Sequence, residues 1–163
     1  MLWRALQPRL LRYLRLAAGD GHEDVAAETW LQVVRDLARF TGDAAAFRSW
    51  LFTVARHRAI DAGRARTARP LTLVGDVGAV DRRMSASAED DALRRASTER
   101  ALGVLRSLPP EQAEMVALRV LGDLDVAAVA RIVGKSPGAV RVSVHRGLRT
   151  LAEQPRLEHL ETT

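Results

Sequence analysis

The chain has 163 residues, 47% of them apolar, and a formal charge of +5 in which all but one of the basic residues are arginine. The lack of cysteine excludes disulfides, thiolate metal sites and a cysteine nucleophile, and fits a cytoplasmic chain. His22, His57, His145 and His159 have no metal-ligand spacing and read as surface or structural histidines, so neither a metal nor a cofactor is expected.

Residues 1–18 are apolar and free of acids, but Arg4, Arg9, Arg12 and Arg15 interrupt any run long enough for a signal or membrane helix. The composition is also that of an organelle transit segment, yet it continues directly into a helical pattern. An amphipathic helix through Trp3, Leu6, Leu10, Leu14 and Ala17 is predicted, ending at residues 19–21. A second helix opens at Glu23 and Asp24, whose carboxylates suit a helix N-terminus, and runs through Val25, Trp30, Val34 and Leu37. Thr41, Gly42 and Asp43 break the pattern. The third helix, about residues 45–66, places Phe47, Trp50, Leu51, Val54, Ala55 and Ala62 on one arc and leaves Arg48, Phe52 and Arg56 on the other side. An exposed phenylalanine between arginines suits single-stranded nucleic acid, whose bases stack while cations follow the phosphates. Phe47 and Trp50 lie in the apolar arc and read as core.

Residues 67–90 lose helical periodicity, and Pro70, Gly75, Gly78 and a Ser/Ala run mark a linker. The pattern resumes near Asp91 through Leu93, Ala101, Leu105 and Leu108; Pro109-Pro110 stops that helix and starts another at Glu111 with Met115, Val116, Leu118 and Val120. Asp125 is a good N-cap for a short helix carrying Val126, Val129, Ala130 and Val133, which Gly134 ends. Ser136 caps and Pro137 starts a last helix whose inward stripe is Val140, Val144, Leu148 and Leu151, with Arg141, Ser143, His145, Arg146 and Arg149 outward. The two form a helix-turn-helix. Arg131, Lys135, Arg141, Arg146 and Arg149, with no carboxylate from residue 126 to 152, favour a DNA backbone, although paired amphipathic helices also occur as plain structure. Gly134-Lys135-Ser136 is no phosphate-binding loop: Val129 stands where the first glycine belongs and a helix precedes it.

Together these residues resemble the extracytoplasmic-function (ECF) group of bacterial RNA polymerase sigma factors. EDVAAETW at residues 23–30 is similar to the family's AED-x-x-QE-x-F pattern, and FRSWLFTVAR at 47–56 with AID at 59–61 is close to its FR-x-WLF-x-IAR-x-x-AID run. LPPEQ at 108–112 and the helix-turn-helix complete the order. The resemblance implies an all-α fold of two small helical domains: region 2 at residues 1–66, a flexible linker at 67–91, region 4 at 92–154 and a C-terminal tail at 155–163. It implies an alternative sigma factor, not an enzyme, that brings core RNA polymerase to particular promoters and promotes opening of the minus-10 element.

By the same resemblance, Asp24 and Glu28 meet the clamp helices of the largest polymerase subunit and region 4 meets the flap. On the residues alone, these carboxylates, one turn apart, pair with a basic partner or merely favour their helix end. The loop at residues 40–46 with Arg48, Phe52, Arg56, His57 and Asp61 would capture an unpaired minus-10 base. Arg141, Ser143 and Arg146 would read minus-35 base edges while Lys135 and Arg149 hold phosphate. The linker would follow the RNA exit path, or be a solvated spacer. An anti-sigma factor is a further implied partner; membrane insertion is not expected. Ala27, His57 and Val142-Ser143 depart from the family's usual Gln, Asn and Ser-Arg, which leaves the promoter sequence open. The competing readings are a dimeric helix-turn-helix regulator that binds duplex operators alone, and a helical interaction protein without nucleic acid.

Overall fold

A computed structural model describes residues 2–68 and 88–154; most of the expected linker, residues 69–87, and the expected tail, residues 155–163, lie outside the described residues. The described residues contain helices and no strand, in agreement with the all-α expectation.

The first domain is built from α1 (Leu2–Ala18), α2 (His22–Asp36) and α3 (Ala44–Ala68), all in mutual contact. In α1 the buried stripe is Leu6, Leu10, Tyr13, Leu14 and Ala18, so Tyr13 is inside while Trp3, expected there, is 55% exposed. Helix α2 is rotated from its predicted orientation. Val25, Ala26, Thr29 and Val33 face the core, and Val34 and Leu37 face solvent at 67% and 50% exposure. A buried Thr29 is tolerated because its hydroxyl donates to the Val25 carbonyl at 2.7 Å, leaving no orphaned polar group.

Asp43 starts α3 by accepting from the Ala46 amide at 2.9 Å. The buried residues of α3, Phe47, Leu51, Phe52, Val54, Ala55 and Ala59, span an arc too wide for one helix face because α1 and α2 cover one side and a helix of the second domain covers the other. Phe52, expected on the exposed side, is fully buried edge-on to Tyr13, with ring centroids 5.5 Å apart.

The second domain comprises α4 (Ala88–Arg106), α5 (Pro110–Val120), α6 (Val126–Val133) and α7 (Pro137–Glu153). Helix α4 begins three residues earlier than the apolar pattern indicated, with Glu89, Asp90 and Asp91 in its first turn, where the helix dipole favours them. Asp125 caps α6 by accepting from the Ala128 amide at 2.7 Å, and Gly134 ends it at φ 70°. Ser136 caps α7 by accepting from the Ala139 amide at 3.1 Å. On α7, Val140, Val144 and Gly147 are buried, while Leu148, expected inward, is 44% exposed. The reason is Gly147: a Cβ there would stand 2.7 Å from Val116 Cγ2, so the glycine lets the α7 backbone close onto α5 and turns Leu148 outward.

The two domains pack on each other. One apolar cluster runs from Leu10, Leu14 and Phe52 through Met115 and Leu118 to Val129 and Val140, and a smaller one joins Leu102 and Leu105 of α4 to Ala113 and Val116 of α5.

Two alanine substitutions at helical glycines should move stability in opposite directions. Gly103→Ala meets open space in α4 and should raise stability by about 0.5–1 kcal/mol, whereas in Gly147→Ala the overpacking against Val116 should outweigh the gain in helix propensity and leave a net loss of about 1 kcal/mol. Urea unfolding of both variants reads the sign. In the same assay Asp125→Ala, which removes the α6 cap, should lower stability by about 1 kcal/mol.

Candidate nucleic-acid interface and partner surfaces

The turn between α6 and α7 is fixed by the Gly134 stop and the Ser136 cap, and this presents the outer side of α7 to solvent. Arg141, His145, Arg146 and Arg149 are exposed there and Ser143 is half-buried. Among the described residues Arg141 and Arg146 take part in no ion pair, so their guanidiniums are available to an external acceptor. Arg149 is tied by its Nε to Glu153 at 3.2 Å, one turn on, and Lys135 lies 3.6 Å from Glu111 of α5. That last carboxylate reaches the basic face from a different helix, which is why a scan along residues 126–152 does not reveal it.

The five α3 candidates do not share one open surface. His57 and Asp61 are exposed, one turn apart, on a groove also lined by Gln32, Arg58 and Arg64. Arg58 Nε donates to Gln32 Oε1 at 2.8 Å, linking α3 to α2 along that groove. Arg58 stands at an unspecified position of the quoted run and Arg64 lies beyond it, although their spacing from Asp61 sets them on the same side. Arg48 and Phe52 are turned to the second domain instead, and Arg56 does both: it lines the His57–Asp61 groove and pairs across to Glu114. The half-buried Arg56 donates through Nε to Glu114 at 2.6 Å, and the Tyr13 hydroxyl donates to the same carboxylate oxygen at 3.2 Å. Burial, reinforced by the Glu114 charge, pushes the Tyr13 phenol well above its usual range, so it stays a donor. Partial burial works against a charged Arg56, but the hydrogen bond and charge of Glu114 outweigh it and hold the guanidinium protonated.

The loop before α3 is shorter than expected, because Asp43 already caps the helix that opens at Ala44. It carries Phe40, stacked on Trp50 at 5.1 Å with planes 8° apart, and both rings meet Phe47 edge-on. Gly42, at φ 148°, is required: a Cβ would come 2.8 Å from the Ala46 methyl and 3.2 Å from the Phe40 ring. Trp50 is thus a half-buried platform rather than full core, and Phe47 is core as expected.

On α2, Asp24 and Glu28 are exposed with no ion pair among the described residues. Leu31, 57% exposed, follows Glu28 by three positions and Val34 follows Leu31 by three, so an apolar strip continues the acidic one. The sequence reading put Val34 and Leu37 in the core, since periodicity alone does not say which of two apolar stripes faces inward. An acidic and apolar strip left open to water has the chemistry of a surface that another protein could cover.

The Sigma-70 region 2 family matches residues 2–69, and the Sigma-70 region 4 family matches residues 98–151. The ECF RNA polymerase sigma factor BldN of Streptomyces coelicolor is 36% identical over 143 residues, 86% of this chain but 53% of that protein, so the chain spans about half the length of this relative. ShbA of Streptomyces griseus is 33% identical over 91% of this chain and 84% of its own length, and SigF of Caulobacter vibrioides 36% over 93% and 79%. Both are ECF RNA polymerase sigma factors. In fold the chain is similar to the sigma factor RpoE of Bartonella quintana, solved with the anti-sigma factor NepR, at a TM-score of 0.62 over 95% of this chain and 96% of that one with 19% identity. With both region matches in order and relatives of this identity covering most of its length, the chain belongs to the extracytoplasmic-function group of RNA polymerase sigma factors and is an alternative sigma factor.

Proposed function

We propose that the chain docks on core RNA polymerase through α2, reads the minus-35 element with α7 and holds the opened minus-10 strand with α3. The observation that carries this reading is the exposed Arg141 and Arg146, free of ion pairs among the described residues, on the solvent side of a capped helix. Arginines so placed reach the major groove, where a guanidinium makes paired hydrogen bonds to a guanine edge. Ser143 adds a short donor and acceptor between them, and Lys135 and Arg149 hold phosphates once released from Glu111 and Glu153. The chain's role is recruitment and opening; the polymerisation chemistry belongs to the core enzyme.

For core binding, Asp24 and Glu28 supply charge to the clamp helices while Leu31 and Val34 supply apolar area, and region 4 meets the flap. For the minus-10 element, His57 and Asp61 are open to a strand as they stand, with Arg56 on the same groove, whereas Arg48 and Phe52 become available when the domains part. In this reading the working units remain residues 1–66 and 92–154, with residues 67–91 joining them. A regulator of the anti-sigma class is a fitting further partner, because a structural neighbour of the same fold is held by one.

Run-off transcription with reconstituted holoenzyme on a promoter library should give discrete, promoter-dependent transcripts; binding of a palindromic duplex by the free chain, with no effect of core enzyme, would overturn the reading in favour of a stand-alone regulator. Glu28→Arg should weaken core binding about tenfold with helicity unchanged, measured by titration of labelled chain with core enzyme. Arg146→Ala should reduce minus-35 binding by about 1–3 kcal/mol at one base position, seen as relaxed preference there; a uniform loss with a shallower salt slope would assign Arg146 to phosphate.

A further inference from the structure

A cleft of about 470 Å³ opens where α1 and α3 meet the corner between α4 and α5, and most of its wall has no part in the proposed promoter contacts. Its volume falls within the roughly 300–1,000 Å³ of small-molecule sites, and the wall is largely aliphatic, with Leu16 of α1, Ile60 of α3, Leu108 of the corner and Ala113 of α5. Ile60 is 36% exposed, so apolar surface is left against water there. Gly63 also forms part of the wall, and a Cβ added to it would meet no atom within 4 Å, so the space beside it is open.

The polar side chains of the cleft fall into two groups. Tyr13 and Arg56 both donate to one oxygen of Glu114, so the charges of that group are already paired. Arg106, by contrast, takes part in no ion pair among the described residues; its Nη2 donates to the Arg15 carbonyl at 3.3 Å, which positions the guanidinium without neutralising it. Tyr13 is fully buried and Arg106 exposed, so the paired group lies deep and the free cation stands at the rim. We propose that this aliphatic slot is a binding site for a single-chain aliphatic carboxylate, its chain lying against Leu16, Ile60 and Leu108 and its carboxylate pairing with Arg106. A neutral chain forgoes the charge-assisted bonds of Arg106, and a second carboxylate at the deep end meets the like charge of Glu114, so the slot selects a chain with one anionic end. Because residues of both domains form the wall, the ligand binds the packed chain and adds its binding free energy to the chain's stability.

The test uses decanoate, titrated below its micellar concentration into the full chain and followed by calorimetry and by the thermal unfolding midpoint. Saturable one-to-one binding is expected, with a midpoint that rises with ligand concentration. Decanol and decanedioate should each bind about fivefold more weakly, the first for want of the Arg106 pair and the second through repulsion by Glu114. Gly63→Leu, which fills the cleft from an open position in α3, should abolish binding while circular dichroism shows the helices kept. Arg106→Gln should weaken decanoate about fivefold and leave decanol unchanged, a selective loss that a general disturbance of the fold would not produce. Titrations that never saturate, binding that survives Gly63→Leu, uptake seen only above the micellar concentration, or decanol held as tightly as decanoate overturns the proposal. Every readout comes from the free chain without DNA or core enzyme, so the outcome is independent of the promoter reading.

Discussion

A single carboxylate organises the contact between the two domains. Glu114 lies at the meeting of α1, α3 and α5, and one of its oxygens accepts both the Tyr13 hydroxyl and the Arg56 guanidinium. A half-buried carboxylate needs such donors, since removal from water without them would destabilise the charged form. Tyr13 and Arg56 in turn need an acceptor. The three groups satisfy one another only when the domains are together, so the orientation of region 4 on region 2 is set by polar pairing on top of the less directional apolar cluster around it.

That constraint explains why α3 is buried so broadly. A helix at the edge of a three-helix domain normally keeps one face in water, and the residues Arg48, Phe52 and Arg56 look like such a face when the first domain is considered alone. With α5 and α6 laid against it, part of that face is covered: the arginines, still partly exposed, pair with Glu114 and Asp123, while Phe52 packs edge-on to Tyr13 of its own domain. By contrast, α7 is packed only within its own domain, through Val140, Val144 and the close approach at Gly147, and its basic side stays in water. Both are surfaces suited to DNA, but one is partly covered by the chain itself and the other is not.

The two exposed surfaces differ in chemistry in the way their proposed partners differ. The outward side of α7 is cationic with short polar side chains, which suits grooves and phosphates. The free side of α2 pairs carboxylates with Leu31 and Val34, which suits a protein that presents arginines around an apolar strip.

Much of this was legible in the amino-acid order, wherever the physics is local. The stops at residues 19–21 and Gly134, the caps at Asp125 and Ser136, the proline start of α5 and the basic side of α7 depend on neighbours within a turn or two, and residues that near one another can be read directly. What tertiary structure alone decided was which of two competing stripes turns inward and what covers an apparently free face. Val34 and Leu148 are apolar at helical spacing yet exposed, because Thr29 satisfies its own hydroxyl and Gly147 admits α5. Phe52 is buried in an apolar cluster to which both domains contribute, and Arg56 is tied to Glu114 58 positions away in the chain; no periodicity within one helix records contacts made at such separations.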